Sequence, residues 1–257
     1  MALRVLVTGG AQGIGLAIAE HLASQGDDVA VLDRLDVEIE GLRSFTADLG
    51  DRDNVEHAVA EAIHALGGLD VLVNNVGIGA VGGVADNDDD EWHKVLDVNV
   101  VGAVRVIRAA LPALRLSPSA SIVNVCSVAA TVGLPQRVLY SASKGAVLAM
   151  TRAMAVDLLP DGIRVNAVNP GTTDTPWVQR LLFDSDDPAA RLAALVARQP
   201  HGRLVSPHEV AAAVGYLASP AAGSTTGAEL TVDGGLHSLR PNSAPVAPLR
   251  REDPGEG

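Results

Sequence analysis

One cysteine, Cys126, occurs in 257 residues, so no intrachain disulfide can form and a reducing, cytoplasmic setting is expected. Set in an apolar run, it reads as a small buried hydrophobe. Aromatic residues make up 2% of the chain against 47% hydrophobic residues overall, so the core must be assembled from Ala, Val, Leu and Ile. That composition suits a parallel sheet covered by helices. Cations are scarce: 19 Lys and Arg face 31 Asp and Glu, and a net charge of −12 leaves no basic face for a nucleic-acid partner. No apolar run is long and unbroken enough to span a bilayer, and Met1 leads straight into the apolar stretch Leu3–Val7 without a signal peptide, so no membrane association is expected. The seven histidines are scattered without ligand spacing, and no catalytic metal is expected. Two tyrosines and two lysines leave little room for a Tyr–Lys pair to arise by accident at a fixed spacing.

Such a pair is nevertheless present. Tyr140 and Lys144 lie at the head of an apolar run of helical character that continues to Leu159, and an i, i+4 spacing puts both on one helix face. A phenol exchanges protons poorly near neutrality, and an ammonium one turn away favours its ionised form. Ser127 follows the apolar strand Ser121–Cys126, which places its hydroxyl at a carboxyl strand end, where α/β sheets bind ligands. There it can steady an oxygen that gains charge. A hydroxyl, a phenol and an ammonium acting on one carbonyl describe alcohol–ketone chemistry.

At the other end of the chain, Leu3–Val7 runs through Thr8-Gly9-Gly10-Ala11-Gln12-Gly13-Ile14-Gly15 into a helix from Leu16 to Ser24. Strand, glycine loop and helix start form a pyrophosphate cradle, because glycine admits close approach of the backbone and a helix amino terminus favours anions. Gly9, Gln12, Gly13, Ile14 and Gly15 are therefore cofactor candidates. A second strand, Asp28–Leu32, closes on Asp33, the place for a carboxylate that holds the adenosine ribose hydroxyls and repels a 2′-phosphate. NAD is expected over NADP, although the adjacent Arg34 is of a type that also grips such a phosphate.

The Ser127-to-Tyr140 spacing, the Tyr-x-x-x-Lys pair and the Thr-Gly-x-x-x-Gly-x-Gly loop together resemble the short-chain dehydrogenase/reductase family. The resemblance runs from Leu3 to Gly235 and implies a single-domain Rossmann-like α/β fold over residues 1–237: a doubly wound parallel sheet of about seven strands with helices on both faces. Asp48-Leu49 is similar to the family's pair beside the adenine ring. Asn74-Asn75-Val76-Gly77 is similar to its Asn-Asn-Ala-Gly, which implies Asn75 and Gly77 at the cofactor. Asn99, in Asp97–Gly102, is implied to keep a water that links Lys144 and Tyr140 to solvent. Pro170, Gly171, Thr172, Thr173 and Thr175 resemble the loop that clasps the nicotinamide end, and Tyr140 and Lys144 are implied to touch the cofactor as well. Family members commonly pair two helices across a two-fold axis, so a homodimer or homotetramer is expected.

Glu91–Leu116 reads as one long helix despite Pro112. Residues 174–205 read as a lid of two helices broken at Asp184–Asp187, and Ser206-Pro207-His208-Glu209 as a capping box. Residues 238–257 read as a flexible or subunit-contacting tail. Arg137, one turn before Tyr140, and Arg180 and Arg198 in the lid suggest a clamp for a substrate carboxylate, with surface arginines paired to nearby aspartates as the plainer alternative. Trp177 stacks on a sugar face or packs the lid. The short link after Asp33, the Pro-Gly-Thr-x-Asp-Thr-Pro loop, Arg137 and Arg198-Gln199 resemble the branch of cytosolic 3-hydroxybutyrate dehydrogenases and of sugar and deoxy-keto sugar acid dehydrogenases. The expectation is an NAD-dependent oxidoreductase that interconverts a secondary alcohol and a ketone on a small hydroxy acid, sugar acid or sugar. A reductase of bulky aromatic, steroid or carrier-linked ketones is the alternative among enzymes, and a catalytically silent dinucleotide-binding regulator the alternative outside them.

Overall fold

Seven parallel strands form the sheet in a computed structural model that describes residues 2–36 and 38–240. They are β1 Arg4–Thr8, β2 Asp28–Asp33, β3 Arg43–Thr46, β4 Val71–Asn74, β5 Ser121–Val125, β6 Arg164–Pro170 and β7 Glu229–Val232, in the order β3-β2-β1-β4-β5-β6-β7. The helices are α1 Gly13–Ser24, α2 Arg52–Leu66, α3 Asp89–Leu96, α4 Gly102–Leu114, α5 Val138–Asp157, α6 Pro176–Phe183, α7 Pro188–Ala197 and α8 Pro207–Ala218. The chain starts in the middle of the sheet, winds out to β3, then returns past β1 to β4. That reversal opens a crevice at the carboxyl ends of β1 and β4.

The strand sequences explain the layers. Within β1, Val5 and Val7 pack with Ile18 and Leu22 of α1 and Val210 and Val214 of α8, whereas Leu6 between them packs with Val59 of α2 and Val106 of α4. A period of two with apolar residues at both phases demands helices on both faces. The doubly wound sheet is therefore present as the sequence implies. Among the described residues no helix intervenes between β2 and β3; Ile39 and Leu42 from that link pack against the α1 side in its place.

The single helix expected over Glu91–Leu116 is instead three pieces: α3, a π turn at Asp97–Val101, and α4, which keeps Pro112 within it. Hydrophobic periodicity does not register the extra residue, because valines fill the turn on every side. The wider turn is stabilised by the Asn99 side chain, which leaves the helix to bond elsewhere, as described below. Asp97 pairs with Arg105 at 2.8 Å, and Arg105 also donates to the Leu49 carbonyl at 2.7 Å. Among the described residues no helix is long and apolar enough to cross a membrane. The tail expected over residues 238–257 lies outside the described residues from 241 onward.

At the amino edge of the sheet, Asp70 joins three segments. Its carboxylate accepts from the Arg4 backbone N–H at 2.9 Å, from Arg4 Nε and Nη2 at 2.9 and 2.8 Å, and from Ser117 Oγ at 2.6 Å. The Arg4 guanidinium, aided by Ser117, outweighs burial and holds the Asp70 carboxyl down at about 2 against an ordinary 3.8. A depressed carboxyl stabilises the fold above its unfolded value and ceases to do so as pH falls through the folded one. Asp70→Asn is expected to cost about 2 kcal/mol at pH 7, with the gap to the parent closing between pH 4 and pH 2. Urea denaturation across that range tests it; a gap independent of pH would show that the carboxylate charge is not the source.

Candidate active site

The glycine loop owes its shape to two left-handed residues, Gly9 at φ +68° and Gly13 at φ +60°. Gly15 acts from behind: a Cβ there would run into the Gly9 carbonyl and come within 2.5 Å of Asn75 Nδ2. Helix α1 can therefore start directly beneath the loop. Gln12 caps it without a side-chain bond, and no acidic residue stands in its first turn, so no side chain competes for its leading N–H groups. Asn75 secures the loop by donating from Nδ2 to the Thr8 and Gly9 carbonyls, both at 3.1 Å. Its neighbour Asn74 donates to Asn124 at 2.9 Å, and Asn124 to Thr151 at 2.8 Å, a buried amide chain that ties β4 to β5 and α5.

Asp33 ends β2 beside the loop. Its Oδ2 accepts from Ala11 N–H at 3.0 Å and its Oδ1 from Leu35 N–H at 3.1 Å, which fixes the carboxylate at the crevice wall. Across from it, Asp48 Oδ1 accepts from Gly50 N–H at 2.9 Å, and Leu49 is held by Arg105 from α4.

At the other end, Tyr140 and Lys144 share a face of α5, with Lys144 Nζ 6.0 Å from the Tyr140 ring centroid. Lys144 is buried, and its ammonium donates to the Val125 carbonyl at 3.0 Å. That leaves two further N–H bonds of the ammonium for the crevice. Gly77 gives it room, since a Cβ there would lie 3.1 Å from Nζ. Asn99 is fully engaged: its Oδ1 accepts from Ile78 N–H at 2.7 Å, and its Nδ2 donates to the Ile78 carbonyl at 2.9 Å and Ser143 Oγ at 3.0 Å. Ser143 in turn donates to the Tyr140 carbonyl at 2.8 Å, so the π turn and α5 are joined beneath the phenol. Ser127 starts the turn Val128–Ala130, and its Oγ accepts from Ala129 N–H at 3.1 Å, which leaves its own proton to donate. Burial pushes the Cys126 thiol up to about 11, as an inert hydrophobe should be.

These pieces enclose one cleft of about 520 Å³. Gly9, Gln12, Gly13, Ile14, Asp33, Arg34, Asp48 and Leu49 line one end; Asn75, Gly77, Tyr140, Lys144, Thr175, Trp177 and Arg180 line the rest. Gly15 and Asn99 support the wall from behind. Ser127 directly follows Cys126 of the lining, while Pro170 ends β6 and Gly171, Thr172 and Thr173 form the loop that leads to Thr175. Arg137 and Arg198 do not reach the wall. Residues 9–237 match a family model described as enoyl-(acyl carrier protein) reductase. The chain is also 37% identical over 250 residues to 2-(S)-hydroxypropyl-CoM dehydrogenase 3 of Xanthobacter autotrophicus, covering 91% of this chain and 96% of that one.

The chain belongs to the short-chain dehydrogenase/reductase family.

It is 39% identical over 245 residues to cis-4-hydroxycyclohexanecarboxylate dehydrogenase of Sinomonas cyclohexanicum, covering 91% of this chain and 96% of that one. The solved structure of Thermoplasma acidophilum aldohexose dehydrogenase superposes with a TM-score of 0.89 at 35% identity, over 95% of this chain and 98% of that one. As a short-chain dehydrogenase/reductase it is an oxidoreductase of CH–OH groups with a nicotinamide dinucleotide cofactor. The cleft fits that cofactor: the loop admits no Cβ at Gly9 or Gly15, and the Asp33 carboxylate is fixed on the wall beside it. Among the described residues no cluster of three His, Cys, Asp or Glu side chains is set to hold a metal.

In this short-chain dehydrogenase/reductase residues 174–205, expected to form a lid, comprise α6 and α7, separated at Asp184–Asp187, with Asp187 capping α7 through Ala190 N–H at 2.9 Å. The loop before it is pinned to the lid's far end: Gln199 Nε2 donates to the Thr172 carbonyl at 3.1 Å and the Arg203 carbonyl at 2.7 Å. The capping box at Ser206 and Glu209 is present. Arg137 is half-buried, donates to the Ala80 carbonyl at 2.8 Å and stands 5.9 Å over the Trp177 ring. Burial pushes its guanidinium down; the Tyr140 phenol opposes that, and Arg198 and Arg191 add to it. Sequence reasoning named neither Arg191 nor Lys94, which lines the cleft one turn before Val98 on the helix face. The i, i+4 spacing of Lys94 and Val98, and i, i+7 of Arg191 and Arg198, were the available signals.

Proposed function

We propose that this enzyme is an NAD-linked dehydrogenase of a small hydroxy acid or sugar acid. Arg137 carries the reading. It is a half-buried guanidinium one turn before Tyr140 with only a carbonyl as acceptor, and Arg198 and Arg191 press on it electrostatically. None of the three pairs with a carboxylate among the described residues. Arg137 does not itself line the cleft but stands 5.9 Å over the Trp177 ring, which does, and cations gathered there without counter-ions call for an anion from the ligand. The relative from Sinomonas acts on a hydroxycarboxylate by name, which supports the same class. A neutral sugar is the second reading, favoured by the half-exposed indole of Trp177 and by the aldohexose dehydrogenase fold neighbour.

The dinucleotide, when bound, supplies the hydride acceptor. Tyr140 takes the proton of the substrate hydroxyl, Lys144 holds the cofactor ribose and favours the ionised phenol, and Ser127 donates to the substrate oxygen. Asn99 fixes the π turn under Tyr140 through its bonds to Ile78 and Ser143. Asp33 accepts from the ribose hydroxyls and selects NAD over NADP by repelling a 2′-phosphate. Exposed Val156 and Leu159 of the α5 end and Leu116 beyond α4 support pairing of these helices across a two-fold axis, as a dimer or tetramer. A cytoplasmic setting agrees with the single, buried, unpaired cysteine.

The test is reduction of NAD and of NADP against 3-hydroxy acids, sugar acids and neutral sugars, repeated with Arg137→Ala. Turnover of an acid with NAD is expected, with kcat/KM falling about 100-fold in the variant. Turnover of neutral sugars only, or an acid unaffected by Arg137→Ala, would discard the acid reading.

A further inference from the structure

Helix α6 begins where α1 begins. A Cβ on Gly13 would lie 3.6 Å from both Pro176 Cδ and Thr175 Cβ, so the amino end of the lid helix touches the glycine loop. Arg180 follows Pro176 at i+4, on the same side of α6, and both line the cleft together with Gly13 and Ile14. Its guanidinium makes no hydrogen bond or ion pair among the described residues. The nearest upstream carboxylate, Asp174, is occupied by Gln179 Nε2 at 2.6 Å.

The glycine loop itself carries no positive side chain: none of the residues from Thr8 to Leu16 is Lys or Arg. Against a pyrophosphate with two negative charges it offers only neutral N–H groups and the α1 dipole. Of the other cations on the cleft, Lys144 is held by Val125 beside Tyr140, Arg34 adjoins Asp33 at the ribose end, and Lys94 stands on α3. Arg180 lines the cleft, whereas Arg137, Arg191 and Arg198 do not.

We infer that Arg180 is a pyrophosphate-binding residue, laid by the lid helix across the phosphates at Gly13 and Ile14, and is not part of the substrate's anion clamp. It supplies in trans the charge that the loop lacks, and makes the lid part of the cofactor site. The inference rests on the dinucleotide reading above.

Calorimetric titration with ADP-ribose, which carries the pyrophosphate but no nicotinamide, tests it in the absence of substrate. Arg180→Gln is expected to weaken binding about tenfold, the scale of one charge-assisted hydrogen bond. Arg180→Lys should recover most of that loss, and substrate KM at saturating NAD should stay within about twofold of the parent in both variants. An unchanged ADP-ribose affinity in Arg180→Gln overturns the inference; a rise in substrate KM alongside it would move Arg180 into the clamp. Failure of the unaltered protein to bind ADP-ribose would instead overturn the dinucleotide reading itself.

Discussion

Tyr140→Phe is expected to lower kcat by about 10³-fold or more, while NADH binding stays within a few-fold of the parent. The substitution removes one oxygen from a ring that remains packed with Leu139, Ala80 and Val95. Lys144 keeps its bond to Val125 and Asn99 keeps all three of its bonds, because none of them uses the phenol. What is lost is the phenol proposed to accept the substrate proton. Steady-state rates at saturating NAD and substrate, beside a fluorescence titration with NADH, separate the two effects. A variant that retained a tenth of the parent's kcat would show that the proton leaves by another route.

Gly15→Ala is expected to abolish measurable dinucleotide binding and to lower stability by about 2 kcal/mol, the scale of an overpacked core site. The added methyl meets backbone on one side and Asn75 Nδ2 on the other, and neither is the free end of a flexible side chain. To relieve it, α1 must withdraw from the loop or Asn75 must release the Thr8 and Gly9 carbonyls. Either change displaces the N–H groups proposed to receive the phosphates. Chemical denaturation and ADP-ribose calorimetry on the same preparation measure both consequences. Binding at the parent's affinity would mean that the loop tolerates a wider helix approach than its packing indicates.

Much of this site was legible because its chemistry fixes its spacing. Tyr140 and Lys144 had to be one turn apart, and Asp33 had to end the strand after the glycine loop; the structure shows both arrangements. The π turn was not legible. Its valines satisfy helix periodicity with or without an extra residue, and the reason for the distortion, the bonds of Asn99 to Ile78 and Ser143, lies 21 and 44 residues away. Gln199 was read only as part of a resemblance, because its value depends on a loop, Thr172, that folding brings to it. The arginines divide for a similar reason. In sequence Arg180 and Arg198 are both in the segment expected to be the lid, and only the approach of Pro176 to Gly13 separates the one that lines the cleft from the one that does not.

The missing helix between β2 and β3 has its own effect on how the molecule breathes. Strand β3 is an edge of four residues, mostly exposed and held on one side by β2, and the link before it contributes only the partly buried Ile39 and Leu42. Local opening there costs little, since few buried apolar contacts are broken. The strands under Tyr140 and Lys144, β5 and β6, are buried almost throughout. Local opening is therefore expected first at β3, on the Asp33 and Asp48 side of the cleft, and last at the strands beneath Tyr140 and Lys144.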